Sequence, residues 1–293
     1  MLKVSKVTPP QAGRKLKKGN SYSIELNPRS RGPKPVTRNP KPETRNLLMR
    51  NIKLVIEYDG TNYHGWQVQP NALTIQEVIE NKIEIMTQQR VRLTASGRTD
   101  TGVHALGQVA SFQTSSPIPV DGLRRGLNSL LPADIIIKSA QEVDEHFHPQ
   151  FGAKRKTYRY VLLNRELPSA IYRNYSWHLS KPLDVAAMQD ASRNLIGRQN
   201  FSSFQAADPE LIDPVREVFK AEWSVEKQIF FCFTIEADGF LKHMVRNIVG
   251  TLVEVGQGRI SREEFQKILC ARDRRRAGMT APPQGLFLLE VKY

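Results

Sequence analysis

Asp100 is the acidic residue of a short polar turn in the segment LTASGRTDTGVHALGQVASF, which spans residues 93–112. Gly97 and Gly102 border the turn, and glycine permits positive φ angles and close approach by another part of the chain. Arg98 lies two residues before Asp100 and can pair with the carboxylate or point elsewhere. A carboxylate in such a turn can act as a nucleophile or a base, but it is also a common structural residue. The turn by itself leaves both interpretations open.

Basic residues precede an aromatic one in the segment AKRKTYRYVLLN, residues 153–164. Lys154, Arg155 and Lys156 come just before Tyr158. Basic side chains bind phosphates, and an aromatic ring can stack on a nucleic-acid base. The same pattern also fits an edge strand with solvated basic side chains and a cross-strand tyrosine. The segment is therefore a candidate nucleic-acid contact.

The segment DGFLKHMVRNIVGTLVEVG predicts a helix over residues 241–254 with two chemically different faces. Apolar residues form one stripe: Leu241, Met244, Val245, Ile248, Val249 and Leu252. His243, Arg246, Asn247 and Gly250 occupy a different face. Because Gly250 follows Arg246 by one turn and permits close packing, we expect the guanidinium to point inward at an anionic group, with a solvated arginine as the alternative.

Hydrophobic periodicity and capping residues predict the elements that position these side chains. The alternating segment IKLVIEYDG predicts a strand that stops at Asp59, and Thr74 with Glu77 forms a capping box for a helix. Further helices are predicted at 121–130, at 184–196 with Asp184 and Gly197 as caps, and at 261–270 with Ser261 as N-cap. Further strands are predicted at 104–112, 134–138, 157–163, 217–225, 229–236 and 286–292.

The order of these elements predicts an α+β fold with a mainly antiparallel sheet flanked by helices, because strands and helices do not alternate regularly. A similar succession of strands and helices occurs before and after about residue 150. We therefore expect two similar halves, residues 49–150 and 151–293, with a cleft between them as the site.

Charge is concentrated near the N-terminus, although the whole chain of 293 residues has a formal net charge of +14. Residues 1–48 contain 12 Lys and Arg against 2 Asp and Glu, whereas the remainder contains 31 against 27. This basic, Pro-rich extension is predicted to be disordered; it either adds affinity for phosphates or has no function. No segment resembles a membrane helix or a secretory signal, which predicts a cytoplasmic protein without membrane contact.

Several common functional classes lack their signatures. The chain contains no GxGxxG after a strand, no P-loop, no HExxH and no GxSxG. His146 and His148 could bind a metal from one strand face, but no third ligand is evident. Cys232 and Cys270 are far apart and support neither a disulfide framework nor a zinc site. No metal or cofactor is therefore expected.

Five segments together resemble the tRNA pseudouridine synthase A family, in order and spacing, from about Met49 to Tyr293. They are GRTDTGVHALGQVASF, AKRKTYRYVLLN, NFSSFQ, FLKHMVRNIVGTLVEVG and APPQGLFLLEV. The chain has Thr101 where the family usually has Ala, and Gly152 where Ser is more typical. The resemblance implies the pseudouridine synthase fold and isomerisation of uridines 38, 39 and 40 in the tRNA anticodon stem-loop. It also implies a homodimer that needs no cofactor or metal.

The resemblance assigns roles to the candidate residues. Asp100 would be the nucleophile on the ribose or pyrimidine, or the base at ribose C2′, and Arg246 would pair with it, within about 4 Å. Tyr158 would border the same cleft and stack on the uracil, and its hydroxyl could assist removal of the C5 proton. Arg98 would enter the RNA where the uridine leaves its stack. Phosphate contacts are expected from Lys154, Arg155, Lys156 and His243.

Two other classes of function remain as alternatives. A non-catalytic RNA-binding module would explain the charge and the aromatic residues, but it would not require a protected aspartate beside an arginine. A metal-dependent hydrolase acting on nucleic acid would need several clustered carboxylates or histidines, and the sequence shows no such cluster.

Overall fold

The computed structural model describes residues 49–206 and 213–293. The basic extension predicted at 1–48 lies outside the described residues, so its predicted disorder is untested. Everything described belongs to one compact unit.

Ten strands and five α-helices form within the described residues. In chain order they are β1 Arg50–Tyr58, α1 Ile75–Thr87, β2 Thr94–Ala95, β3 His104–Thr114, α2 Val120–Leu130, β4 Ile135–Val143, β5 Arg155–Asn164, β6 Trp177–Leu179, α3 Val185–Ser192, β7 Gly197–Asn200, β8 Val215–Glu226, β9 Phe230–Ala237, α4 Met244–Gly256, α5 Arg262–Ala271 and β10 Leu286–Lys292.

The strands form one mixed sheet in the order β4-β1-β3-β10-β5-β9-β8-β7, with β2 beside β3 and β6 beside β5. Pairing is antiparallel except between β10 and β3 and between β5 and β6. This confirms the α+β class with a mainly antiparallel sheet. Because the sheet is continuous across residue 150, the division into two similar halves stays a prediction.

The centre of the sheet brings two candidate segments together. Leu288 on β10 is in register with Ala105 on β3 and with Tyr158 on β5. Neighbouring strands lie about 4.8 Å apart. The start of β3, which follows the Asp100 turn, is therefore only two strand spacings from Tyr158.

The predicted N-caps are confirmed. The Thr74 side chain accepts a hydrogen bond from the Glu77 N–H, and the Ser261 side chain accepts one from the Glu264 N–H. Asp184 likewise caps α3 by accepting from the Ala187 N–H at 2.9 Å. These bonds satisfy N–H groups that have no partner within the helix.

One predicted helix boundary differs in the type of helix, and another is wrong. The α-helix α3 ends at Ser192, but a 3-10 helix continues over Arg193–Leu195, so helical structure ends one residue before the predicted 196. Gly197, predicted as the C-cap, has a φ of +98° and begins β7, and the Gln199 side chain holds the turn before it by donating to the Asn194 and Ile196 carbonyls. Helix α4 begins at Met244 rather than at 241, because the residue before it adopts a left-handed conformation.

Helix α4 lies deep in the protein, and of its 13 residues only Arg246 and Glu254 are not fully buried. Its polar residues Asn247 and Thr251 are buried and hydrogen-bonded. An arginine on such a buried helix needs a polar or charged group with which to form hydrogen bonds.

Candidate active site

The turn that carries Asp100 is hydrogen-bonded to the backbone of a second segment, around Trp66. The Trp66 N–H donates to the Thr99 carbonyl at 3.1 Å, and the Val103 N–H donates to the Asp100 carbonyl at 3.1 Å. Gly65 has a φ of +84°, and a Cβ there would lie 2.6 Å from the Thr99 oxygen. Gly102 has a φ of +76°. The turn therefore needs glycine both within it and in the segment that supports it.

Asp100 and Arg246 form the predicted contact. Nη1 of Arg246 donates to Oδ2 of Asp100 at 2.9 Å, well inside the expected 4 Å. The side chains of Asp100 and Arg246 are 32% and 13% exposed. The carboxylate therefore remains open to a ligand while its partner is largely enclosed.

The Arg246 guanidinium is also held from its other side. Its Nε donates to the Ala281 carbonyl at 2.8 Å, while the Ala281 N–H donates to the Arg246 carbonyl at 3.1 Å. Gly250 makes this approach possible, since a Cβ there would lie 1.7 Å from the Met279 oxygen. A rigid guanidinium anchored in this way fixes the orientation of the carboxylate it contacts.

A polar cluster keeps the irregular segment around Ala281 against α4. Oδ1 of Asn247 accepts hydrogen bonds from Arg274 at 3.0 Å and from the Thr280 hydroxyl at 2.6 Å, and its Nδ2 donates to the Phe204 carbonyl. Sequence reasoning missed Arg274 and Thr280. A buried asparagine in an otherwise apolar helix was the available signal, because such a group requires partners.

Tyr158 borders the same cleft, as predicted, and is 8% exposed. Phe240 packs edge-on against its ring, with centroids 5.0 Å apart. Burial raises the pKa of the Tyr158 hydroxyl, and the nearby Tyr58 hydroxyl and Asp100 carboxylate raise it further. The phenol therefore stays protonated at neutral pH.

Lys156 lies in the cleft but is committed to the protein backbone. Its Nζ donates to the Ser96 carbonyl at 2.5 Å, at the beginning of the turn that leads to Asp100. Burial lowers the pKa of this ammonium, as does the charge of Arg216. Arg98 is exposed and lines the same cleft.

Lys154 and Arg155 are not brought into the cleft. Arg155 follows the period-2 alternation of β5 onto the opposite face from Tyr158, where it donates to Glu236 at 2.9 Å and lies over the Phe219 ring. Lys154 is exposed just before β5, and its N–H donates to the Lys292 carbonyl. Their expected contacts with RNA phosphates therefore have no support from their placement.

His243 immediately precedes α4 with φ 59° and ψ 6°, a left-handed conformation that costs a non-glycine residue roughly 1–3 kcal/mol. Its Nε2 lies 3.5 Å from Oδ2 of Asp100. Burial lowers the pKa of the ring, and Arg246, Lys242 and Arg274 lower it further, against the opposing effect of Asp100. Sequence reasoning placed this residue at a phosphate; the structure places it beside the carboxylate.

The cleft has a volume of about 770 Å³ and is continuous with the surface around Asp100. Six candidate residues line it: Arg98, Asp100, Lys156, Tyr158, His243 and Arg246. Clefts of about 300–1,000 Å³ accommodate small ligands, so a single extruded nucleobase fits. A separate groove of about 720 Å³ lies between Pro182 and Arg262, and it contains none of these side chains.

His146 and His148, the pair considered as metal ligands, do not form a metal site within the described residues. His146 is exposed beside Glu145, and Nδ1 of His148 accepts backbone N–H groups from Gln150 and Phe151. Across residues 49–206 and 213–293, no three His, Cys, Asp or Glu side chains converge as metal ligands. The expectation that no metal is required stays a prediction.

Membrane insertion by a helix finds no support in the structure. Within the described part of the chain, no helix is both long and apolar enough to cross a bilayer.

Comparison with known proteins identifies the family. A family model described as tRNA pseudouridine synthase matches residues 54–152 and 191–293. The tRNA pseudouridine synthase A of a Thermoanaerobacter species is 48% identical over 246 residues, covering 84% of this chain and 100% of the relative. The proteins of the same name from Acetivibrio thermocellus and a Geobacter species are 49% and 47% identical, each over 84% of this chain and over 100% and 99% of the relative. This chain belongs to the tRNA pseudouridine synthase A family.

Proposed function

We propose that this protein converts uridines 38, 39 and 40 of the tRNA anticodon stem-loop to pseudouridine, with Asp100 as the reacting carboxylate. The observation that carries the proposal is the Asp100–Arg246 pair, 2.9 Å apart in a cleft where, among the described residues that line it, every other charged side chain is basic. A carboxylate repels the phosphates that such a cleft attracts, so it needs a chemical reason to be there. The names of the relatives supply the substrate, tRNA.

The isomerisation requires few chemical groups. The N1–C1′ bond of the uridine breaks, the base turns, and a C5–C1′ bond forms; no electrons enter or leave. Asp100 either attacks the ribose or the pyrimidine as a nucleophile, or removes a proton from C2′. Arg246 orients the carboxylate in each of these routes.

The remaining cleft residues prepare the substrate. A stacked base cannot be reached inside a helix, and extruding it costs a few kcal/mol. We expect Arg98, which is exposed, to fill the vacated position and the Tyr158 ring to stack on the uracil. We expect a cytoplasmic homodimer that binds tRNA across both subunits, with the division near residue 150 separating two similar halves.

The test uses unmodified tRNA transcripts with uridine or cytidine at positions 38, 39 and 40. Purified protein, with and without chelator, should form pseudouridine at each uridine and lose nothing to the chelator. Binding without isomerisation would favour the RNA-binding module. Sensitivity to chelator, with strand cleavage, would favour the metal-dependent hydrolase. Light scattering of the purified protein, alone and with tRNA, tests the dimer.

A further inference from the structure

His243 is a second side chain at the Asp100 carboxylate. Its Nε2 lies 3.5 Å from Oδ2, which is longer than an ordinary N–H···O hydrogen bond of 2.7–3.2 Å. Its side chain is 30% exposed and lines the cleft. Within the described residues, neither ring nitrogen is engaged in a hydrogen bond. The ring therefore has nitrogen atoms available to a ligand.

His104, a buried histidine of this region, is arranged differently. Its Nδ1 accepts the Gly60 N–H at 3.1 Å, and its Nε2 lies 2.9 Å from the Asn174 carbonyl. The residue is only 1% exposed. A histidine with both nitrogens occupied and no access to the cleft cannot exchange a proton with a substrate. His64 lines an adjacent groove, but among the described histidines only His243 lies within 4 Å of the Asp100 carboxylate, so His243 is the candidate.

The isomerisation needs a group that accepts the C5 proton. Once C5 is bonded to C1′, C5 carries both its hydrogen and the sugar, and that hydrogen must leave as a proton. The Tyr158 hydroxyl is poorly suited to accept it, because burial raises its pKa and keeps it protonated. A neutral imidazole has a free lone pair at neutral pH.

The charges around His243 favour its neutral form. Burial is the largest influence on the pKa of His243, and it disfavours a positive charge on the ring. Three cations act in the same direction: Arg246 on α4, the neighbouring Lys242, and Arg274 on the segment packed against α4. The Asp100 carboxylate on the turn opposes them. The imidazole is therefore neutral at neutral pH, with a lone pair on one ring nitrogen.

We propose that His243 is the base that removes the C5 proton of the target uracil. The inference rests on the proposed function and adds a residue to it. The C5–H electron pair restores the C5=C6 double bond, the C6=N1 pair moves to N1, and N1 takes a proton. His243 returns its proton to N1, directly or through water, so that protons and electrons balance.

Position supports this assignment. Asp100 reacts at the ribose or at the uracil ring. After the base has turned, C5 occupies the position beside C1′ that N1 occupied before. A group next to the Asp100 carboxylate therefore lies close to C5 at this stage. The left-handed backbone at His243 holds the imidazole at this place, immediately before the helix that supplies Arg246.

The test follows hydrogen loss from C5. Unmodified tRNA carrying deuterium or protium at uridine C5 is given to wild type, His243→Gln and Tyr158→Phe, with His146→Gln as a control on an exposed loop histidine. Glutamine retains polarity but accepts no proton at neutral pH. His243→Gln should lose about 10²–10⁴-fold in kcat, since this is the usual contribution of general acid–base catalysis. It should also acquire a larger C5 isotope effect than wild type, with tRNA affinity unchanged.

A second variant, His243→Gly, distinguishes a chemical role of the imidazole from a purely structural one. Glycine adopts the φ of 59° found at residue 243 without strain, and it leaves space for a small molecule. Imidazole added to His243→Gly should restore turnover in proportion to the concentration of its neutral form. A residue that only supported the fold would give no such rescue.

The outcomes separate the inference from the function on which it rests. If wild type forms no pseudouridine in any tRNA, the proposed function fails. If wild type is active but His243→Gln keeps its turnover, or shows the wild-type isotope effect without imidazole rescue of the glycine variant, the assignment of His243 is overturned. An isotope effect that appears in Tyr158→Phe alone would transfer the role to the tyrosine.

Discussion

Asp100 and Arg246 are 146 positions apart in the chain, yet the guanidinium donates to the carboxylate at 2.9 Å. The arginine reaches it from a deeply buried helix, and the Ala281 carbonyl fixes its other edge at 2.8 Å. This contact joins the turn before β3 to α4. It makes the orientation of the carboxylate depend on three separate segments of the chain.

Replacing Arg246 tests that dependence. Lysine keeps the charge but lacks the planar fork that contacts Asp100 and Ala281 together, so Arg246→Lys should fold normally and lose about 10²-fold in kcat/KM. Arg246→Ala should lose about 10³-fold. Arg259→Lys, on the exposed segment after α4, is the matched control and should be unaffected. Near-normal turnover of Arg246→Lys would show that a charge alone suffices.

Tyr158 should contribute mainly through its ring. Tyr158→Phe retains the aromatic surface, whereas Tyr158→Leu loses stacking worth about 1–3 kcal/mol, or about 5–150-fold. Because the hydroxyl stays protonated, we expect kcat of the phenylalanine variant to fall much less than that of the leucine variant. Single-turnover rates and tRNA affinities for both variants provide the measurement. Equal rates for wild type and Tyr158→Leu would remove the residue from the site.

Activity should depend on pH through His243. A base acts in its unprotonated form, so the rate is present above its pKa and is lost as the pH falls through it. The pKa of this ring in the free protein lies below its ordinary value of 6.5, so the acid limb of kcat/KM should lie below pH 6.5. Measuring kcat/KM from about pH 5 to 8 locates the limb. Persistence of the same limb in His243→Gln would assign it to another group.

Stability should depend on Glu236, on the face of the sheet opposite the cleft. Hydrogen bonds from Lys292 and Arg155 lower the pKa of this carboxylate to about 2, from an ordinary value of 4.5. Its stabilising effect is therefore complete above pH 4.5 and is lost as the pH falls through about 2. Glu236→Gln should lower the free energy of unfolding at pH 7 by about 1–3 kcal/mol.

The control for this measurement is Glu222→Gln, whose carboxylate pairs with Lys220 on an exposed part of the surface. Surface pairs contribute about 0–1 kcal/mol. Denaturant titrations at several pH values should show the difference between Glu236→Gln and wild type shrinking as the pH falls. A difference that does not change with pH would assign the loss to packing.

Local patterns predicted most of the elements, whereas the role proposed for Asp100 came from the family resemblance. Thr74 with Glu77, and Ser261 with Glu264, are short-range capping signals that depend on adjacent residues, and both are confirmed. The contact of Asp100 with Arg246 was expected from family resemblance and from the small Gly250 beside the arginine.

Other features depend on contacts between distant segments. Arg155 and Lys156 must lie on opposite faces of β5, because successive side chains of a strand point to opposite faces. Only the assembled sheet shows which of the two faces the cleft. The Arg274–Asn247–Thr280 cluster joins α4 to a loop about thirty residues later, for which no local period exists. The position of His243 beside Asp100 likewise follows from where α4 begins, which periodicity misjudged by three residues.

The most direct test of the central claim is a single-turnover experiment with Asp100→Asn. The amide is nearly isosteric with the carboxylate but can neither attack carbon nor abstract a proton at neutral pH. Wild type and variant, each in excess over unmodified tRNA tritiated at uridine C5, are compared for release of tritium and for tRNA affinity. We predict rapid release by wild type, none above background by Asp100→Asn, and tRNA affinity that is retained or raised. Appreciable release of tritium by Asp100→Asn would contradict the account.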